Sequence, residues 1–330
     1  MPDTATVKRT KATFWTSLST VLLTAAALVV GAPAVSSAEP GDWRYTMVSF
    51  SNTSDRDLDV YASTDGTDFQ PARLSAFRPE SGLVRDPSIF RHTDGMYYLT
   101  YTTGGAGANI GFARSSDRVN WTPMGNWPIP FCCALMPGTG DGTGSANIPG
   151  FAGSSALRSL PSFSPFTTKA WAPEWFVDGD RVNVIVSLST GGGFVPYVMT
   201  ALDPALTMWS LPVPLGGIGA DHIDTTVVKV GPTYHAFTKN ETEKIIEHAV
   251  APTLLGPYSY VPAGDWGPMR EGPAVAQLPN GDWRIFFDAY TEGKYFYSDS
   301  SDGLTTWSEP QELPGVSGTI RHVGVMREPA

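Results

Sequence analysis

A short sequence phrase returns five times along this chain, as a turn rich in Ser, Asp and Gly that leads to an aromatic residue. The closing aromatic residues are 52, 88, 49 and 49 positions apart, so the repeat has a period of about 50 residues and carries one insertion. A repeat of this length that holds four short strands is typical of one blade of a β-propeller. We therefore predict an all-β fold, a five-bladed β-propeller of four-stranded antiparallel blades. The five copies are Ala62–Phe69, Ala113–Trp121, Thr200–Trp209, Ala249–Tyr258 and Ser298–Trp307.

The composition agrees with an all-β chain that has many tight turns. Aromatic residues make up 12% of the sequence and charged residues only 16%, and the chain contains 34 Gly and 28 Pro. The formal net charge of −10 argues against a nucleic acid or an anionic membrane surface as the partner. Aromatic side chains at this density suit a carbohydrate partner. The sequence does not determine the oligomeric state.

The first 38 residues have the pattern of a secretory signal peptide. Lys8, Arg9 and Lys11 precede an apolar stretch over residues 14–30, and small residues fill positions 34–38, where a signal peptidase would cut. No other run is long and apolar enough to span a bilayer. We therefore predict a secreted, extracellular protein in which residues 39–330 form a single propeller domain without a membrane anchor.

The strand pattern predicts how the ring is closed. Alternating apolar and polar residues separated by Asp-Gly and Gly-Gly turns mark four complete blades. The first blade lacks an innermost strand, because Tyr45–Phe50 and Asp57–Ala62 match the second and third strands of the other blades. The C-terminal segment Thr319–Met326 has no blade of its own. We predict that it supplies the missing strand and thereby covers an exposed sheet edge.

The extra length in the 88-residue gap lies between Gly125 and Phe166, in a stretch dominated by Gly, Pro, Ser and Thr. Long loops inside compact domains are usually functional, so we expect this insertion to wall off part of a groove. It holds the only two cysteines, Cys132 and Cys133, which are neighbours and cannot connect distant parts of the fold. Two states stay open for them, a vicinal disulfide or two buried thiols.

Charged residues stand near the start of the five predicted innermost strands, 88, 50, 47 and 51 positions apart. In a propeller, residues at a shared register on these strands converge at one end of the central channel. Crowding four carboxylates and one imidazole into a confined site raises the cost of ionisation, so the arrangement indicates a catalytic or metal site. The residues are Asp86, Glu174, Asp224, Glu271 and His322.

Carboxyl groups with separate roles are what cleavage of a glycosidic bond requires. One neutral acid protonates the leaving oxygen, and one ionised base activates water or attacks the sugar directly. A third carboxylate nearby can hold the proton on the acid by electrostatic repulsion. The sequence leaves open whether Asp288, one strand away from Glu271, supports this site or lies at the surface.

The same residues resemble motifs of the family 43 glycoside hydrolases, which are five-bladed propellers that act on arabinose- and xylose-containing polysaccharides with inversion. The resemblance covers almost the whole chain after residue 38. Where the family usually has Gly after its axial His, this chain has Val323. The matching segments are Arg85-Asp86-Pro87-Ser88-Ile89, Trp171-Ala172-Pro173, Ile223-Asp224-Thr225, Glu271-Gly272-Pro273 and Arg321-His322.

The resemblance implies a role for each matching residue. Asp86 would be the general base that activates water, Glu271 the general acid, and Asp224 the modulator that orients Glu271 and keeps it protonated. Inversion implies roughly 6.5 to 9.5 Å between the carboxyls of base and acid. The mechanism requires no cofactor, although the family's axial His often lies near a calcium ion or a water, which makes His322 a candidate metal ligand. Candidate substrate contacts are Trp171, Glu174, His222, Arg321 and His322.

The implied substrate is a polysaccharide or oligosaccharide, and the insertion after Trp121 favours an exo-acting α-L-arabinofuranosidase over an endo-1,5-α-L-arabinanase. A β-xylosidase or a galactanase would use the same three acids, because the shape of the pocket distinguishes one sugar from another. The phrase SDSSDGLTTW also resembles the Asp-box turn of sialidases, but their six blades and anionic substrate do not suit five blades around an acidic pocket. A non-catalytic sugar-binding propeller is the alternative from another class, and the presence of all three family carboxylates argues against it.

Overall fold

A computed structural model of the protein describes residues 43–80, 82–129 and 167–330. The predicted signal peptide, both cysteines and nearly all of the insertion between Gly125 and Phe166 lie outside the described residues. The described residues form twenty β-strands. Within these ranges no helix has the length and apolar character needed to cross a membrane.

The strands form five antiparallel sheets of four strands each, so the fold is the predicted five-bladed β-propeller. From the axis outwards, blade I contains β20 (Ile320–Pro329), β1 (Trp43–Ser51), β2 (Leu58–Ser63) and β3 (Gln70–Phe77). Blade II contains β4 (Arg85–Arg91), β5 (Tyr97–Thr102), β6 (Asn109–Ser115) and β7 (Trp121–Pro128). Blade III contains β8 (Lys169–Asp178), β9 (Arg181–Ser189), β10 (Phe194–Thr200) and β11 (Val213–Pro214). Blade IV contains β12 (His222–Val230), β13 (Thr233–Asn240), β14 (Ile245–Ala251) and β15 (Ser259–Val261). Blade V contains β16 (Glu271–Gln277), β17 (Trp283–Ala289), β18 (Lys294–Ser300) and β19 (Gln311–Glu312).

Blade I closes the ring, because it combines the first and the last strand of the described chain. β20 pairs antiparallel with β1, with Met47 opposite Val325. The prediction that the C-terminal segment supplies the missing inner strand is therefore confirmed. Ile320 and Val323 on β20 are fully buried. The pairing covers the inner edge of β1, which would otherwise be an open sheet edge.

The repeated sequence phrase corresponds to one recurring turn, between the third and fourth strands of each blade. In three copies, a Ser side chain donates to the Asp two residues later. In blade II, for example, Ser115 Oγ lies 3.0 Å from Asp117 Oδ1, which also accepts the backbone N–H of Asn120 at 2.8 Å. Side chains of this kind fix a turn by replacing missing backbone partners. The repeat therefore indicates the propeller architecture, whereas it contributes no residue to the site at the axis.

Apolar layers between adjacent blades hold the ring together. Between blades II and III, the ring centroids of Phe90 and Phe112 lie 4.5 and 5.6 Å from that of Trp175. All three side chains are less than a tenth exposed. Aromatic pairs at this separation stabilise the fold beyond the burial of their surface.

Each inner strand contains a one-residue β-bulge at the same level. In blade II, Arg85 pairs with Thr102 and Ser88 pairs with Thr100, so one residue of β4 is extra. The bulge residue has a positive φ in every blade, a conformation that costs a non-glycine residue about 1–2 kcal/mol. Strain of this kind concentrates at functional sites, and three of the five bulge residues carry candidate site side chains. The five are Asp86 (50°), Ala172 (47°), Asp224 (55°), Gly272 (58°) and His322 (33°).

Candidate active site

The bulges surround a small pocket of about 80 Å³ at one end of the central channel, and all five blades contribute to its wall. The general base, general acid and modulator that the resemblance implies, Asp86, Glu271 and Asp224, lie in this wall together with His322. The structure therefore brings together residues that are up to 236 positions apart in sequence. The lining residues are Arg85, Asp86, Thr102, Gly104, Gly105, Trp171, Ile223, Asp224, Glu271 and His322.

The five charged residues named from the sequence occupy three different positions relative to the bulge. Asp86, Asp224 and His322 are bulge residues, whereas Glu271 precedes its bulge residue by one position and Glu174 follows its own by two. The expected single register is thus not what the structure shows. The residues that share a register are the bulge residues themselves, which are 86, 52, 48 and 50 positions apart.

Asp86 lies beside His322, whose Nδ1 is 3.2 Å from Asp86 Oδ1 and 3.8 Å from Asp224 Oδ2. Burial lowers the pKa of His322, but the carboxylates of Asp86, Asp224 and Glu174 outweigh this effect and the pKa is raised. Nδ1 is thus placed to donate a hydrogen bond to Asp86 Oδ1. This contact fixes the orientation of the Asp86 carboxylate, which remains partly open to the pocket with 13% of its side chain exposed.

The side chain of Asp224 binds the backbone of Gly272, the residue that follows Glu271. Asp224 Oδ2 accepts the N–H of Gly272 at 3.1 Å, which fixes the start of β16, where Glu271 stands. Gly272 is required there, because an added Cβ would lie 2.7 Å from Cγ of His322. Burial raises the pKa of Asp224 to about 6; the Glu271 carboxylate acts in the same direction and His322 in the opposite one.

Two cations hold the carboxylate of Glu271. Lys239 Nζ lies 2.8 Å from Glu271 Oε2, and Arg321 Nη2 lies 3.0 Å from Oε1. The Lys239 side chain is only 3% exposed and also lies 2.7 Å from Glu241 Oε2. Burial lowers the pKa of Lys239, but Asp224 and Glu271 outweigh it and the pKa is raised, so the ammonium stays charged. Glu271 is therefore fixed in position from both sides.

Two residues of this cluster lie on second strands, at the same position in their blades. Lys239 on β13 and Asp288 on β17 each pair with the residue that precedes the bulge on the inner strand. The sequence reasoning missed Lys239 and did not decide the place of Asp288. A signal was present in both cases, since each stands as the only charged residue after apolar or neutral neighbours, in AFTK and IFFD.

Asp288 is fully buried and lies below the pocket. Its Oδ2 accepts from Arg321 Nε and from the backbone N–H of His322. Burial raises the pKa of Asp288 to about 6, although Arg321 acts in the opposite direction. Asp288 thus orients Arg321, one of the two cations that hold Glu271, and it belongs to the site as a supporting residue.

Glu174 lies beneath the pocket and not in its wall, with 7% exposure. Among the described residues its Oε1 has no hydrogen-bond partner. Burial raises the pKa of Glu174 to about 8, and the nearby carboxylates of Asp224 and Asp86 act in the same direction. The structure does not place this side chain where it would touch a sugar in the pocket.

Two further candidate substrate contacts, Trp171 and His222, occupy different places. Trp171 lines the pocket and packs on Phe194, with ring centroids 4.8 Å apart. His222 is absent from the pocket wall, because its ring points to the outer strands of blade IV. Its Nε2 lies 2.8 Å from Glu247 Oε2 and 3.1 Å from the hydroxyl of Tyr260.

A calcium ion in the central channel stays a prediction. Calcium takes six to eight oxygen ligands, and no group of three or more His, Cys, Asp or Glu side chains in the described ranges is arranged to hold a metal. His322, the candidate ligand, directs Nδ1 to Asp86.

The pocket thus contains carboxyl groups in clearly different environments. Asp86 is oriented by an imidazole, Glu271 is held by two cations, and Asp224 is buried and bound to a backbone N–H. Groups of titratable residues whose surroundings differ in this way are the usual basis for dividing acid and base roles. The arrangement can activate a water molecule at one side of a bound sugar and protonate an oxygen at the other.

No family model matches this sequence, and no curated protein matches it. Solved structures do share its fold. An endo-1,4-β-xylanase from Bacteroides thetaiotaomicron aligns with a TM-score of 0.58 over 84% of this chain and 97% of its own, at 14% identity. A thermostable family 43 glycoside hydrolase aligns with a TM-score of 0.57 over 84% of this chain and 95% of its own, also at 14% identity.

An endo-arabinase from the same organism as the xylanase aligns with a TM-score of 0.50 over 83% of this chain and 89% of its own, at 15% identity. At these identities the likeness concerns the fold alone, and one fold can carry many activities. The architecture that the sequence motifs implied is confirmed: this chain has the five-bladed β-propeller fold of solved family 43 glycoside hydrolases.

Proposed function

We propose that this protein is a secreted glycoside hydrolase that removes terminal α-L-arabinofuranosyl residues from arabinan or a related plant cell-wall polysaccharide, with inversion. The observation that carries the proposal is the convergence of Asp86, Asp224 and Glu271 on one small pocket built by all five blades. The fold is also that of solved enzymes described as a xylanase and an arabinase. Acidic residues in the pocket favour a neutral sugar over an anionic one.

In the proposed reaction, Asp86 takes a proton from the water that attacks the anomeric carbon. The contact with Nδ1 of His322 holds one oxygen of Asp86, so the other oxygen is available to the water. Inversion requires that this water fits between base and sugar, on the face opposite the leaving group. The carboxyl separation of roughly 6.5 to 9.5 Å stays a prediction of this mechanism.

Glu271 protonates the leaving oxygen in this proposal. Both of its oxygens accept from cations in the structure, Oε2 from Lys239 and Oε1 from Arg321. One of these contacts must therefore open when the sugar enters, so that the carboxyl group can take up and deliver a proton. Asp224 and Lys239 bring charges of opposite sign to the Glu271 carboxyl group.

The size of the pocket supports an exo-acting enzyme. A volume of about 80 Å³ is small beside the roughly 300 Å³ or more of typical ligand pockets. Such a site suits a single sugar at a chain end. An endo-1,5-α-L-arabinanase or a β-xylosidase would use the same acids and remains the alternative within the fold. A sugar-binding propeller without catalysis is the alternative of another class.

Two isosteric substitutions test the proposed roles. We expect Asp86→Asn and Glu271→Gln each to reduce turnover of an aryl arabinofuranoside about 10²- to 10⁴-fold, because each removes one proton transfer. Binding of sugar should persist, since the shape of the pocket changes little. Glu309→Gln, an exposed position on blade V, is the matched control and should keep wild-type rates. Wild-type turnover in both test variants would show that these residues do not have the assigned roles.

A further inference from the structure

A second, larger concavity of about 450 Å³ lies on blade IV. One wall is the start of β14, residues 245–248, and the other is formed by the end of β15 with residues 263–268. We refer to this concavity as the outer groove. None of its lining residues belongs to the catalytic pocket.

The outer groove opens on the same side of the ring as the catalytic pocket. Asn240 pairs with both His222 and Ile245, so β12 and β14 begin at the same end of the blade. β15 ends at that end too, where Val261 pairs with His248. β15 lies three strand spacings from β12, a distance of roughly 14 Å. A sugar chain of several residues that starts in the pocket can therefore reach the groove.

Both walls of the groove lie close to elements of the catalytic pocket along the chain. His222, whose ring contacts Glu247 and Tyr260 in the groove, is the chain neighbour of Ile223 in the pocket wall. The other wall, residues 263–268, leads within three positions to Glu271. The groove is thus continuous with the elements that carry the acid.

The lining has the chemistry of a sugar-binding surface. Tyr260 is 45% exposed and Ile245 is 37% exposed, so an aromatic and an aliphatic face are open to a ligand. Glu247 and Asp265 add carboxylate acceptors for hydroxyl groups. Trp266, which is 3% exposed, adds part of an indole ring to the groove wall. Apolar faces with a few fixed polar groups are typical of small-molecule and sugar sites.

The aromatic face of the groove is preorganised. The hydroxyl of Tyr260 lies 3.1 Å from Nε2 of His222 and accepts the N–H of Gly219 at 3.2 Å. These contacts hold the ring in place even though it is exposed. A ligand that stacks on a fixed ring loses less free energy to side-chain ordering than one that must immobilise it.

We propose that the outer groove binds sugar residues of the substrate chain that extend beyond the catalytic pocket. The inference rests on the proposed function, because it takes the chain in the pocket to be a neutral pentose polysaccharide. In this proposal His222, which does not line the catalytic pocket, positions the ring of Tyr260 so that a sugar can stack on it. The enzyme then holds polymers more tightly than small aryl glycosides.

The test separates polymer binding from turnover. Tyr260→Ala, Tyr260→Phe and Asp265→Ala are compared in a Glu271→Gln background by affinity electrophoresis in gels that contain linear arabinan or xylan. We expect Tyr260→Ala to weaken retention by the preferred polymer about tenfold and Asp265→Ala about threefold. Tyr260→Phe keeps the ring but loses the hydroxyl contacts to His222 and Gly219, so it should weaken retention less than Tyr260→Ala does. Leu202→Ala, at a 64% exposed position on blade III, is the matched control and should change nothing.

Kinetics on the active enzyme give a second readout. We expect Tyr260→Ala to raise KM for the polymer about tenfold relative to KM for an aryl pentoside. Unchanged retention and an unchanged KM ratio in Tyr260→Ala and Asp265→Ala would overturn the role of the outer groove, while hydrolysis by the wild type would leave the proposed function intact. Absence of both binding and hydrolysis for every polymer and aryl pentoside would overturn both.

Discussion

Asp224 and Lys239 act on Glu271 with opposite charges, so removing each charge should move the pH profile in opposite directions. The basic limb of kcat/KM reports loss of the proton that the general acid must carry. Lys239→Met removes a cation that favours the ionised carboxylate, so this limb should move to higher pH. Asp224→Asn removes a repelling carboxylate, so the limb should move to lower pH. The Asn side chain still provides an oxygen for the N–H of Gly272.

The structure sets the expected size of each shift. Lys239 Nζ lies 2.8 Å from Glu271 Oε2 and is almost fully buried, a geometry for which an opposite charge is worth about one to three pH units. Asp224 accepts a hydrogen bond from the N–H of Gly272, the residue that follows Glu271. Its pKa is raised to about 6 by burial, so its negative charge acts only above that pH. We expect a downward shift of about one pH unit for Asp224→Asn.

The assay is initial rates on an aryl arabinofuranoside between pH 4 and pH 9, for wild type and both variants. Lys244→Met is the matched control, because Lys244 bonds Glu241 and not Glu271 and is 34% exposed. Its basic limb should coincide with that of the wild type. Shifts of Lys239→Met and Asp224→Asn in the same direction, or no shift in either, would refute the electrostatic roles assigned to these residues.

Two further predictions concern stability. Deleting residues 320–330 removes the inner strand of blade I, so we expect the cooperative thermal transition measured by circular dichroism to be lost. Deleting Ala330 alone should leave this transition unchanged. A variant that lacks residues 320–330 and still folds would contradict ring closure by β20. Burial, together with the charge of its neighbour His235, lowers the pKa of His248 to about 4. Between about pH 6.5 and pH 4 the unfolded chain therefore binds more protons at this position than the folded chain does. The free energy of unfolding accordingly falls as the pH falls through this range. We expect His248→Gln to remove up to about 3 kcal/mol of the difference between urea unfolding at pH 7 and pH 4, and an unchanged difference would argue against this cause.

The ring could be predicted from the sequence because its evidence is periodic. One turn recurs with a period of about 50 residues. In the sequence pattern the first blade lacks an innermost strand, and the C-terminal segment Thr319–Met326 has no blade of its own. Both signals depend on local chemistry, in the turns and in the alternation of apolar residues. Such signals do not require knowledge of which strands touch.

The exact register of the site could not be predicted, because the bulges change it. One extra residue per inner strand reverses which face of the strand the following side chains occupy. Asp86, Asp224 and Glu271 still reach the pocket, since they stand at or just before the bulge. Glu174 stands two positions after it and lies beneath the pocket instead.

The side-chain contacts that depend on strand pairing and blade packing could not be predicted from the sequence either. Lys239 joins the site because β13 pairs with β12 and brings its ammonium to Glu271 on blade V. His222 lies outside the catalytic pocket because Glu247 and Tyr260 on the outer strands of blade IV hold its ring. A single sequence does not show such pairings.

The stereochemistry and size of the first product test the proposed enzyme most directly. Linear α-1,5-arabinan is incubated with the mature protein, and the anomeric protons are followed by NMR from the first minute, with chain-length analysis of the same samples. An inverting exo-enzyme with Asp86 as base and Glu271 as acid must release free β-arabinose before mutarotation, without intermediate oligomers. Release of α-arabinose, a ladder of oligomers, or no release from arabinan, xylan or aryl pentosides would contradict the proposed reaction.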